Sequence, residues 1–422
     1  MSSLSQNSFP YISLDLAVAA TAATITFITL FKFNWIEGNI GFIISDYFSK
    51  IRRNAGPFMV PDSNEVKDQI FRLAILRGRE HCHDAILTNI IPMKDQVGGH
   101  IAAGNPMLRV STSSSSVFVL KPLHVDVRGF REMAFYEAIQ SAIYFGEEND
   151  AISDSYPYTI KQRCSENELK ALRALSSFIP EYFGVIVRPN KSSIPPLMTS
   201  YLVLSDLTSS FRHPCIIDLK VGKRTYEPDA PLRKVESQTR KYPHQEIFGF
   251  RICGMTIYGK RGDDGDTKAF CQKIDKRFGQ SLDDEKSLRE TFLTFFKLDE
   301  RAGDPNDADG IRVRVLANVL EQMIVIRQSF LDCNNSLALY ATSILILYEG
   351  DDEFVSPEAY KLKLIDFAHV RRHPGNDWNY MYGLESLIKI YRSLLFEVED
   401  TFRLYSDLAV DPKASKLILS SL

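Results

Sequence analysis

Pro214-Cys-Ile-Ile-Asp218-Leu-Lys220-Val-Gly222 is an apolar run that places two opposite charges at alternate positions and then ends on a glycine. It reads as a buried strand. Period-two geometry puts Asp218 and Lys220 on one face with Ile216 behind them, and Ile217 and Leu219 on the other. An unpaired buried ion is costly, so the charged face belongs at a cleft rather than in a core. A salt bridge at a strand end is the plainer alternative. Gly222 permits a turn or a close backbone approach.

A second acidic strand end lies far downstream, in Lys361-Leu-Lys-Leu-Ile-Asp366-Phe-Ala-His369. Leu362, Leu364 and Asp366 share a face by alternation, so this strand is expected to deliver a carboxylate to the core's edge. Ser343-Ile-Leu-Ile-Leu-Tyr348 just before it is strongly β-prone, and the two runs read as an antiparallel pair. A carboxylate so placed is either a structural cap or a ligand for Mg²⁺, which takes its remaining ligands from water and substrate phosphates.

In this order, PxxxDxKxG, Thr342-Ser343-Ile344-Leu345 and Ile365-Asp366-Phe367 resemble the signature of the inositol polyphosphate kinase family, with a likeness running over roughly residues 90–395. The resemblance implies an α+β, two-lobed kinase fold of the protein-kinase/ATP-grasp-like kind, with a nucleotide between the lobes. It implies ATP and Mg²⁺ as cofactors and inositol polyphosphates as substrates. Residues 57–207 would form the nucleotide-covering lobe, and 208–395 the second lobe, with an inositol-phosphate-binding segment at 223–245. Residues 1–56 would be an extension and 396–422 a tail.

Size and composition agree with this. A chain of 422 residues, 45% of them hydrophobic, can bury a sizeable core in two lobes. A net charge of −3 gives no general attraction to nucleic acid. The six cysteines show no pairing or CxxC spacing, which fits reduced thiols in the cytoplasm or nucleus. His81-Cys82-His83 has no second Cys/His pair at zinc spacing. Leu16–Phe31 carries no charge, and Lys32 could snorkel to extend its reach toward Ile36. A span needs about twenty apolar residues, so 16–36 reads either as a membrane anchor or as an amphipathic or poorly ordered extension. If it inserts, Lys50, Arg52 and Arg53 keep the rest on the cytosolic side. The chain is expected to be monomeric.

In the first lobe, Gln96-Val97-Gly98-Gly99-His100 reads as a phosphate-facing loop or a plain hairpin turn. Val117-Phe-Val-Leu-Lys121 reads as a strand with an ammonium emerging from an apolar face. The resemblance makes Lys121 the nucleotide lysine. In the helix over 130–145, Phe135, Ile139 and Ala142 form the apolar stripe, and Glu132 sits on it one turn earlier. A carboxylate there requires a partner, for which Lys121 is the natural candidate, with Arg128 or Arg131 the surface alternative. Residues 151–197 read as a polar insertion around a short helix, 166–179. Ser200–Thr208 runs from a strand into a turn, which the resemblance makes the hinge whose backbone at Asp206 and Leu207 meets the adenine. Ser205 departs from the acidic residue often found there.

Pro231–Pro243 reads as a short helix with Lys234, Gln238 and Lys241 on one face. From Lys220 to Lys241, seven basic residues oppose three acidic ones, a local surplus suited to a compact polyanion. The resemblance makes Lys234, Gln238 and Lys241 inositol-phosphate ligands, with Ser237 standing where the family has a glutamine. It also places His369 near the transferred phosphate, Asp366 on the metal, and Asp218 and Lys220 at the chemistry, Asp218 orienting the hydroxyl or holding the ribose. Only ten residues separate Gly222 from Arg233, too few for the dedicated substrate lobe of the trisphosphate 3-kinases. The multikinase branch is the better match, with the hexakisphosphate kinases next. A catalytically weak inositol-phosphate-binding scaffold is the reading from a different class.

Overall fold

The computed structural model describes residues 58, 63–81, 87–93, 96–97, 106–112, 116–144, 163–190, 197–260, 269–298 and 308–410. The 16–36 segment, the glycines at 98–99 and the Cys82-His83 pair lie outside the described residues. Residues 55–422 form one compact unit.

Two five-stranded antiparallel sheets organise that unit. The first contains Leu87–Pro92 (β1), Leu108–Thr112 (β2), Val117–Pro122 (β3), Tyr182–Asn190 (β4) and Leu197–Ser205 (β5), in the order β1-β2-β3-β5-β4. The second begins with Pro214–Val221 (β6), Phe250–Lys260 (β7) and Ala269–Ile274 (β8). A short strand, Leu337–Leu339 (β9), stands apart from it. Ser343–Glu349 (β10) and Tyr360–Ile365 (β11) then complete the order β11-β10-β6-β7-β8, and β9 pairs with Val370–Arg372 (β12). The expected antiparallel pair is β10 with β11, and β6 lies at the centre of its sheet between β10 and β7.

Alternation sorts each strand's side chains. On β5, Leu202 and Leu204 enter the main core, while Tyr201 and Val203 join a smaller cluster with Val110, Phe118, Leu120 and Ile186. On β6, Cys215, Ile217, Leu219 and Val221 enter the main core, so Ile216, Asp218 and Lys220 occupy the opposite face as the sequence predicts. β4 is a correction. Read as part of an insertion, Tyr182–Asn190 is instead a full strand of the first sheet, because its apolar residues pack on both sides.

The helices fill the space around the sheets. Asn64–His81 (α1) packs against β4 through Gly78 and Gly184, where an added Cβ at Gly78 would lie 2.2 Å from the Val185 carbonyl oxygen. Val127–Tyr144 (α2) is buried well beyond the expected stripe, with Met133, Ala134, Tyr136 and Ala138 enclosed beside Phe135, Ile139 and Ala142. Burial on nearly every side replaces amphipathic periodicity. Glu166–Ser176 (α3) starts at a Ser165–Glu168 capping box and ends before the expected 179. Leu232–Lys241 (α4) buries no residue at all. Glu285–Phe296 (α5), Ala308–Cys333 (α6) and Trp378–Val410 (α7) complete the core beneath the second sheet. α7 continues past residue 395, so the expected start of a tail at 396 falls inside a helix. Its Gly383 meets the turns at Gly222 and Gly249, where a Cβ would lie 2.0 Å from the Gly249 oxygen. Gly222 itself has φ +116°, so the glycine ending the opening motif supplies both a turn and a close approach. No described helix is long and apolar enough to cross a membrane.

Candidate active site

Two lysines from different sheets converge on one carboxylate. Lys121 leaves β3 and donates to Glu132 Oε1 of α2 at 2.6 Å and to Asp366 Oδ1 at 2.7 Å. The expected Lys121–Glu132 pair therefore forms, with Asp366 as a second acceptor. Lys220 leaves β6 and donates to the Ala341 carbonyl at 2.9 Å and, more loosely, to Asp366 Oδ2 at 3.5 Å. Burial opposes charge on Asp366, yet Lys121 and then Lys220 hold its carboxyl well below the usual carboxylate range. Burial likewise disfavours both ammoniums and is the largest single influence, but Asp366 together with the other anionic neighbours of each lysine outweighs it and raises them. Glu132 adds to this effect at Lys121.

Asp366 does not reach this point by strand alternation. Leu362 and Leu364 point into the main core, and strict period two would send Asp366 after them. β11 ends at Ile365, and Asp366 adopts a left-handed backbone with φ +69°. That turn carries its carboxylate to the Lys220 side and drops Phe367 into the core. Phe367 stacks on Phe135 of α2 with ring centroids 4.4 Å apart and meets Tyr136 edge-on at 5.5 Å. The Thr342 hydroxyl donates to the Asp366 carbonyl at 3.1 Å. A non-glycine residue in this conformation is strained and persists only where its surroundings hold it.

Asp218 lies on the face of β6 that it shares with Lys220, beside a register shift against β7 that leaves Cys253 unpaired. It is 3% exposed, and no hydrogen bond of good geometry reaches its Oδ1 among the described residues, although the neighbouring Ser343 hydroxyl lies close enough to lower its carboxyl. Burial, assisted by the charge on Asp366 and opposed by Lys220, pushes the Asp218 carboxyl up to about 6. A carboxyl so placed is a proton acceptor poised near neutrality.

A second group forms around a residue that the sequence reading counted only as a diluting charge. Glu227, in the loop between β6 and α4, accepts from Lys234 Nζ at 2.6 Å and from His369 Nδ1 at 2.7 Å. Thr225 donates to Gln238 at 3.3 Å. Lys234, Gln238 and His369 are thus brought to one loop, where two of the three acids already counted against the basic run are committed to partners. Glu227 neutralises Lys234, and Asp229 pairs with Arg371. Lys241 is exposed; partial burial, then the charges of Arg251, Lys220 and Lys276, lower its ammonium. A cationic pocket edge of this kind favours an anion. One of three acids in a basic run, Glu227 carried no sequence signal that set it apart from Asp229 and Glu236.

Asp206 and Leu207 connect the two sheets, as expected of a hinge. The Asp206 side chain is spent on Arg109 and on Thr208, whose N–H and hydroxyl donate at 2.8 and 2.6 Å. Its carbonyl accepts from both the hydroxyl and the N–H of Ser209, at 2.8 and 3.3 Å, and that of Leu207 accepts from Lys361 at 2.9 Å.

The site is that of a two-sheet α+β protein with a lysine–carboxylate cluster between its sheets. Residues 201–392 match the family model for inositol polyphosphate kinases. The chain is similar to the inositol polyphosphate multikinase of Homo sapiens, at 27% identity over 267 residues, covering 63% of this chain and 53% of that protein. It is also similar to inositol hexakisphosphate kinase 3 of Mus musculus, at 30% identity over 220 residues, covering 46% and 50% respectively. A solved inositol phosphate multikinase of S. cerevisiae, in complex with ADP and Mn²⁺, aligns with a TM-score of 0.46 at 25% identity, covering 66% of this chain and 99% of that one. The chain spans between 53% and 57% of the length of the multikinases of mouse, rat and human, and 93% of the multikinase beta of Arabidopsis thaliana.

Proposed function

We propose that the protein is an ATP-dependent kinase that phosphorylates ring hydroxyls of soluble inositol polyphosphates, carrying tris- and tetrakisphosphates toward the pentakisphosphate. The observation that carries this reading is the convergence of Lys121, Lys220 and Asp366 beside a buried Asp218 oxygen that no hydrogen bond of good geometry reaches among the described residues. Phosphoryl transfer depends on in-line positioning and neutralised oxygens more than on covalent help. Lys121 and Lys220 hold ammoniums ready for phosphate oxygens, which compete with Asp366 for them. Asp218 orients the attacking hydroxyl and accepts its proton. Lys241 and Gln238 meet the substrate's other phosphates, with Lys234 and His369 beside them.

Mg²⁺ fits this donor set. It takes one or two carboxylates and completes its shell with water and phosphates. Among the described residues no group of three or more ligating side chains occurs. Asp366, about a third exposed, would hold the ion, with the carboxylate of Asp218 close enough to feel the charge on Asp366. Bound there, it would supply neutralisation of phosphate charge.

Incubating the full chain with ATP, Mg²⁺ and, in separate reactions, inositol tris-, tetrakis- or hexakisphosphate tests the reading once products are separated. Consumption of the first two is the expected result. Phosphate transfer to none of them sinks it. Likeness to a hexakisphosphate kinase favours a second reading, for which pyrophosphate formed from the hexakisphosphate alone is the signature. We further propose that the protein acts as a monomer on the cytosolic side, held to membranes through residues 16–31. Alkaline extraction that releases the full chain as readily as a truncation from Pro57 overturns that attachment.

A further inference from the structure

We propose that Glu227 is a positioning residue that fixes His369 and Lys234 at a set separation before the inositol phosphate arrives; this rests on the kinase reading above. Glu227 is 5% exposed, and each of its oxygens has a separate partner, one 7 and the other 142 residues further along the chain. A carboxylate only accepts, so the imidazole must donate from Nδ1, which leaves Nε2 as the nitrogen that faces outward. Burial opposes charge on Glu227, but the hydrogen bonds from His369 and Lys234 hold its carboxyl well below the usual range.

The fold does not itself require this arrangement. α4 buries no side chain, so apolar packing cannot set the position of Lys234. The polar links Glu227–Lys234 and Thr225–Gln238 tie the helix to the loop after β6. His369 comes from the segment between Asp366 and β12, so a single carboxylate joins the substrate helix to the segment that carries the proposed metal ligand. The charged groups that face Glu227 are His369 and Lys234, with Arg131 of α2 close enough to interact; Arg131 also lies near Asp229 and Arg371. An ammonium and an imidazole held apart by one fixed anion are pre-organised, which removes part of the ordering cost of binding a polyanion.

Glu227→Gln keeps the shape and loses the charge, while Glu227→Asp keeps the charge and withdraws it. The loss of two charge-assisted hydrogen bonds predicts a KM for inositol tetrakisphosphate raised about ten- to a hundredfold in the Gln variant. kcat should change much less, and the Asp variant should recover part of the loss. In a Lys234→Ala, His369→Ala background, the Gln change should add almost nothing. Nitrogen-15 spectra of histidine-labelled full chain without substrate should show His369 protonated at Nδ1, and mixed tautomers in Glu227→Gln. A KM within threefold of wild type, or a fall in melting temperature and kcat with KM unchanged, overturns the proposal. If the wild type turns over none of the inositol phosphates, the kinase reading has failed, and the spectra alone decide Glu227: an unchanged His369 tautomer in Glu227→Gln rejects its role.

Discussion

Replacing Asp218 by Asn should stabilise the protein while abolishing turnover. The ordinary carboxyl value of 3.8 is pushed up to about 6 by burial, with Asp366 adding to the effect. A carboxyl whose pKa rises on folding resists ionisation in the native state. Its penalty is absent below the unfolded value and complete above the folded one. Two such units correspond to about 3 kcal/mol at pH 8 and, because both states are then partly protonated, to about 1.5 kcal/mol at pH 5. Asn has the same shape without the charge, so it escapes the penalty. Calorimetry should place the variant on the order of 5 °C above wild type at pH 8, with the gap roughly halved at pH 5. Turnover at pH 8 should fall about 10²- to 10⁴-fold with the proton acceptor gone. For the wild type, kcat/KM should drop about tenfold per pH unit below about 6. A stability gap of constant size across this range, or a variant less stable than wild type at pH 8, refutes the buried-charge argument. Undiminished turnover removes Asp218 from the chemistry.

Asp366→Asn should retain the fold, because Asn tolerates the left-handed backbone at φ +69°, yet lose at least about a hundredfold in turnover with the charge that gathers Lys121 and Lys220. Circular dichroism together with ADP release checks both halves, and an active variant excludes the carboxylate role. Phe367→Ala empties a fully buried site stacked on Phe135 and should cost about 3–5 kcal/mol. It should also weaken turnover by loosening the Asp366 turn; an unchanged melting temperature would show that the stack does not hold it.

Much of the site could be read from the chain because it rests on local periodicity. Alternation assigned Asp218 and Lys220 to one face of β6, and a carboxylate on the inner stripe of α2 demanded a partner, which Lys121 supplies at 2.6 Å. Where burial is two-sided the pattern disappears, which is why β4 passed for an insertion and α2 for an amphipathic helix. α7 ran through an expected break because its sequence there carries no stop signal, neither glycine nor proline, between 384 and 410.

Composition and period two by themselves determined the buried strand and the charge pair on one of its faces, and the position of Glu132 on a helix stripe called for a partner without choosing between Lys121 and Arg128 or Arg131. Each depends on neighbours within a few residues or on one rule of burial. Only the tertiary structure decided the direction of Asp366 and the role of Glu227. The first depends on a single left-handed residue held by Thr342 and by the Phe367 stack, the second on a carboxylate meeting a histidine 142 positions away. Side-chain alternation cannot foresee a backbone reversal, and a count of charges cannot tell a solvated acid from one buried between a lysine and a histidine.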